Sequence, residues 1–67
     1  MDIKINTEYI KLDQLLKFSG ITDNGSDAKI LIADEKVKVN GITEFQRGKK
    51  IRKNDIVTVG EVIINVR

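Results

Sequence analysis

Five basic side chains stand within seven residues: Arg47, Lys49, Lys50, Arg52 and Lys53. Cations this close repel one another, so concentrating them costs some stability. A polyanion offsets that cost, because its phosphates neutralise the cluster and release their counterions. Lys36 and Lys38 extend the run upstream, and residues 36–53 hold seven basic side chains against Glu44 alone. The overall charge of +2 hides this asymmetry. Residues 1–35 carry four basic and seven acidic side chains, a net of −3, whereas residues 36–67 carry eight and three, a net of +5. The chemistry on offer is therefore electrostatic binding. With no His and no Cys, the chain lacks the commonest general base and every thiolate ligand, which excludes a Ser-His-Asp triad, a disulfide and a zinc-thiolate site. No glycine-rich phosphate loop occurs, and no paired carboxylates fall on a predicted cleft. The expectation is a binding protein with no catalytic residue, no metal, no cofactor and no small-molecule substrate.

The elements that must position these cations are short. Sixty-seven residues make one domain, spanning 1–67, and a domain of this size buries only about 60% of the surface of its unfolded chain. Asp2-Ile3-Lys4-Ile5 alternates polar and apolar, as a strand does. Leu12, Leu15 and Leu16 fall at i, i+3 and i+4, which predicts a helix over 11–18, stopped by Gly20. A second helix is predicted over 27–34, capped by Asn24 or Ser26, with Ala28, Leu31 and Ile32 inward; Ile30 does not fit that face. The period then drops to two. Val37 and Val39 point one way, Lys36 and Lys38 the other, and Asn40-Gly41 gives the residues of a tight hairpin turn. Residues 45–54 read as a basic loop that orders on binding, with a short strand near Ile51. Turns at Asn54-Asp55 and Gly60-Glu61 bound the last two strands. The expected class is α+β: an N-terminal strand, two short packed helices and a small antiparallel sheet built on the Asn-Gly hairpin.

The order Lys11-Leu12-Asp13, then Ala28-Lys29-Ile30-Leu31-Ile32, then Val37-Lys38-Val39-Asn40-Gly41 resembles the S4-type RNA-binding domain, or αL motif. That family follows approximately R-L-D-x-x-L, then S-R-x-x-A-x-x-L-I-x-x-G-x-V-x-V-N-G, and the resemblance covers about residues 11–60. It is strongest to short, stand-alone bacterial members. Lys11 stands where the family has Arg, Asn24-Gly25 where it has Ser-Arg, and Glu35 where it has Gly. The resemblance implies recognition of structured RNA, ribosomal RNA or tRNA. The RNA-binding residues expected are Lys11, Asn24, Gly25, Lys29, Lys36, Lys38, Asn40, Arg47, Lys49, Lys50, Arg52 and Lys53.

Physical chemistry supports the same reading. The deep major groove of an RNA duplex is closed to side chains, so recognition rests on phosphates, 2′-hydroxyls and shape, which suits lysines, arginines and free amides at helix starts. Tyr9, Phe18 and Phe45 are the only aromatics, so a base-stacking platform is a poor fit and shape-directed binding is expected. Met1-Asp2-Ile3-Lys4 has neither the basic segment nor the apolar run of an export signal, and the longest apolar run, Ile30 to Ala33, is far too short for a membrane span. The expectation is a cytoplasmic monomer that engages no membrane. A ubiquitin-like sulfur carrier would need a Gly-Gly tail where Ile64-Asn65-Val66-Arg67 stands. Two further functions compete with RNA binding: nonspecific DNA binding by the same cations, and a protein–protein adaptor that uses an exposed apolar patch.

Overall fold

The computed structural model describes all 67 residues. Nine elements follow in chain order. They are β1 (Asp2–Ile3), β2 (Ile10–Lys11), α1 (Leu12–Phe18), α2 (Gly25–Ala33), β3 (Val37–Val39), β4 (Ile42–Thr43), β5 (Lys50–Ile51), β6 (Ile56–Val59) and β7 (Val62–Val66). The leucine stripe of α1 is wholly buried at Leu12, Leu15 and Leu16, and α2 adds Ala28 and Ile32. Opposite the helices, the inner face of the sheet contributes Val37, Val39, Val57, Val59, Ile64 and Val66 to the same core. Alternation along β3 places Val37 and Val39 inside and Lys38 outside, as its period of two requires. No helix is long and apolar enough to cross a membrane.

The main sheet has the order β1-β7-β6-β3-β4. It is mixed rather than purely antiparallel, because β1 runs parallel to β7, with Asp2 opposite Asn65 and Ile3 opposite Val66. The Met1 ammonium donates to the Ile63 carbonyl at that edge. The β3–β4 hairpin turns at Asn40 (φ 52°) and Gly41 (φ 85°), both positive as a type I′ turn demands. Asn40 also staples the turn to β6. Its side-chain oxygen accepts from the Ile56 amide at 2.9 Å, and its amide group donates to Asp55 at 3.1 Å.

Three helix boundaries differ from the sequence reading: α1 starts at Leu12 rather than residue 11, because Lys11 is extended and pairs in β2. The second helix starts at Gly25 rather than residue 27 and ends at Ala33 rather than residue 34. The earlier start follows from the cap. Asn24 accepts from the Asp27 amide at 2.9 Å, so Gly25 and Ser26 already form the first turn. Ile30 is exposed, on the face of α2 opposite Ala28 and Ile32, and Leu31 is half-buried at the edge of the core.

Helix α2 ends in a Schellman turn. The Lys36 amide donates to Leu31 and the Glu35 amide to Ile32, each at 3.1 Å. The residue after the cap must then be left-handed, and it is Glu35, with φ 60°. A side chain costs roughly 1–2 kcal/mol in that conformation relative to glycine. Glu35→Gly is therefore expected to stabilise the domain by about 1 kcal/mol, a rise in Tm of about 4–8 °C for a domain this size. A thermal melt that shows no rise would mean that the strain at Glu35 is offset by contacts of its own side chain.

Candidate nucleic-acid interface

The basic segment is anchored, which corrects the expectation that it orders only on binding. Glu44 accepts from the Phe45 and Gln46 amides at 3.1 Å, and the Lys49 amide donates to the Gln46 carbonyl at 3.2 Å. The chain then closes over the start of α1. The Leu12 amide donates to the Lys49 carbonyl at 2.9 Å, and the Asp13 amide to the Arg47 carbonyl at 3.1 Å. Two of the orphan donors of that helix are thus satisfied by backbone, so the amides at the start of α1 are not free for phosphate, contrary to the expectation from sequence. What this junction offers to an anion is its side chains.

Strands β2 and β5 form a separate antiparallel ribbon, with Ile10 opposite Ile51 and Lys11 opposite Lys50. Ile51 is wholly buried and pins the ribbon to the core. The other pair places two lysines directly across from each other, an arrangement that is destabilising between strands. A fold gains nothing from it alone; a phosphate between the two ammonium groups would neutralise both. The Tyr9 ring lies beside this pair, with the Lys50 ammonium 4.9 Å and the Arg52 guanidinium 5.8 Å from its centroid. Arg52 also meets the exposed Glu8 carboxylate at 3.3 Å. Asp55 holds the turn that follows, accepting from the Arg52 amide at 2.8 Å, and Lys53 projects from it into solvent.

The basic side chains singled out in the sequence therefore sit on three structural units. Lys11, Arg47, Lys49, Lys50, Arg52 and Lys53 gather around the β2–β5 ribbon. Lys38 stands on the outer face of the main sheet between Thr43 and Thr58, and with Lys36 it flanks a small depression of ≈ 220 Å³. Lys29 lies one turn into α2, beyond the Asn24 cap and Gly25. Asn24 and Asn40 both spend side-chain groups on the fold, Asn24 as a cap and Asn40 as a staple. Sequence reasoning missed an open groove of ≈ 570 Å³ beside the ribbon, lined by Lys4, Asn6, Tyr9, Lys11, Gln14 and Phe18 among others. Its one sequence signal is the aromatic residue directly before Ile10-Lys11.

Comparison with known proteins agrees with this architecture. A family model described as the S4 domain matches residues 3–67. The probable ribosome maturation protein RlbA of Bacillus subtilis is 35% identical over 57 residues, which cover 85% of this chain and 80% of that protein. The putative RNA-binding protein YbcJ of Escherichia coli is 42% identical over 43 residues, covering 64% of this chain and 61% of YbcJ. The solution structure of YbcJ, described as revealing an αL motif involved in RNA binding, superposes with a TM-score of 0.75 at 30% identity, over 97% of this chain and 84% of that one. The 30S ribosomal protein S4e of Thermoplasma acidophilum shares the fold, with a TM-score of 0.64 at 19% identity over 87% of this chain and 31% of its own. Motif, fold and a family match across nearly the whole length agree, and the chain belongs to the S4 domain family.

Proposed function

We propose that this chain is a non-catalytic RNA-binding module that grips structured RNA, ribosomal RNA or tRNA, by its phosphates, acting as a cytoplasmic monomer. The observation that carries the reading is the cross-strand pairing of Lys11 with Lys50, flanked by Arg47, Lys49, Arg52 and Lys53. Like charges held face to face on a ribbon that is itself fixed to the core form a preorganised anion cradle. The names of the relatives RlbA and YbcJ support the same reading, one through ribosome maturation and the other through RNA binding. Lys36, Lys38 and Lys29 widen the footprint in this proposal. Asn24 and Asn40 act as supports, while the amides of Gly25 and Ser26, which have no partner inside the fold, are open to phosphate. A protein–protein adaptor role would instead use exposed Ile30, Phe45 or Ile63.

Fluorescence anisotropy against an RNA hairpin and the matching DNA duplex, across a salt series, tests the proposal. RNA is expected to bind more tightly, with each phosphate contact adding about 0.7–0.9 to the log–log salt slope. Equal affinity for the two duplexes would reduce the function to charge-driven binding of any nucleic acid. Failure to bind either at low salt would leave the cations as a solvated face and favour the adaptor.

A further inference from the structure

We propose that the groove beside the ribbon takes a single unpaired nucleotide of the bound RNA, its base against Phe18 and Tyr9 and its phosphate between Lys4 and Lys11. The inference deepens the RNA-binding reading and rests on it. Helical spacing puts Gln14 and Phe18 on one face of α1, at i and i+4, Lys11 stands extended just before that helix, and residues 4–9 supply the rest of the lining. The volume, ≈ 570 Å³, is within the range of small-molecule sites and suits one nucleotide.

The composition of the lining decides what enters. Only three aromatic residues exist in the chain, and two of them line this groove. Phe18 is 66% exposed, an apolar ring turned to solvent at a site where burial against a base would be favourable. Tyr9 is held in place by the Lys50 and Arg52 cations over its ring. Asn6 and Gln14 each offer a donor and an acceptor, the groups that pair with base edges. Lys4 and Lys11 provide positive charge, and the carboxylate in the lining, Glu8, is engaged by Arg52 at 3.3 Å. Aromatic faces, amides and lysines together match a nucleotide better than a purely apolar ligand. A paired base inside an A-form helix cannot stack on a side chain, whereas a bulged or terminal one is splayed out. Lys11 belongs to both the groove and the ribbon, so the nucleotide would be continuous with the phosphates held at Lys50.

The test compares an RNA hairpin that carries a one-nucleotide bulge with the same hairpin fully paired. The wild-type chain is expected to bind the bulged RNA about tenfold more tightly, the scale of one base–aromatic stack. Phe18→Ala is expected to erase that preference without changing the affinity for the paired hairpin, and Phe18→Tyr to retain it. The exposure of Phe18 leaves the fold intact in both variants, which a thermal melt verifies. Equal wild-type affinity for the two RNAs, or a preference that survives Phe18→Ala, overturns the groove while leaving the RNA-binding reading in place. Binding to neither RNA overturns both.

Discussion

Replacing Lys50 by glutamate is expected to lower the affinity for structured RNA by at least about tenfold while leaving the domain as stable as before. The two effects have separate causes. Lys50 faces Lys11 across the ribbon, so the substitution turns a like-charge pair into an opposite-charge one, a gain of several tenths of a kcal/mol between strands. It also removes one cation from the Tyr9 ring, a loss of similar size at an exposed site, and Arg52 remains over that ring. The terms nearly cancel, and the melt should move little. Binding has no such compensation. One phosphate loses its attraction and meets a carboxylate instead, and each of these effects is worth about 1 kcal/mol even at the dielectric of water. Anisotropy titrations at fixed salt, paired with thermal melts, check both halves. Unchanged affinity in a folded variant would remove the ribbon from the interface. A large loss of stability would mean that the cation over Tyr9 outweighs the repulsion, and that the lysine pair is there for the fold.

How much of the fold and the site is legible in the sequence depends on the range of the interactions involved. The leucines of α1, the alternating valines of β3 and the Asn40-Gly41 turn are set by neighbours within a few residues, and their spacing is written in the chain. The short strand at Ile51 can be expected from that apolar residue, but strands of two residues have no period, and neither β2 nor its pairing with β5 can be read locally. Ile51 is a single apolar residue among cations, Ile10 is followed after one residue by the helix that starts at Leu12, and their pairing joins positions some forty residues apart. The parallel contact between β1 and β7 joins residues more than sixty apart, and nothing local specifies its direction.

The candidate site divides along the same line. That residues 47–53 would meet a polyanion follows from charge density alone. That Lys50 would stand opposite Lys11 follows from a register that the sequence does not show. The groove is harder still to foresee, since Lys4 and Phe18 become neighbours only when residues 4–9 fold back along α1. Glu35 is the converse case. The end of α2 requires a left-handed residue there, a demand made by the backbone, and the side chain that occupies it carries no sign of that demand.

Ile51 links these observations, and truncating it is expected to damage fold and function together. The side chain is wholly buried, and it is the residue through which the basic segment between β4 and β6 joins the core. Ile51→Ala removes that anchor and leaves a cavity under the ribbon, at a cost of about 2–5 kcal/mol. A domain of 67 residues has a total stability of roughly 3–10 kcal/mol, so a Tm fall of about 10 °C or more is expected, with part of the population unfolded at the upper end of that range. RNA affinity should fall even at temperatures where the variant remains folded, because Lys50 is next to the cavity and the Lys11–Lys50 pair loses its fixed separation. Preorganisation is what distinguishes this cradle from a flexible basic tail, whose cations would be ordered only at the cost of side-chain and backbone entropy. Thermal melts and RNA titrations on the same preparation measure both effects. If Ile51→Ala lowers stability but leaves the affinity of the folded fraction untouched, the basic side chains work without a fixed ribbon. In that case density of charge, and not its placement opposite Lys11, would be what the RNA reads.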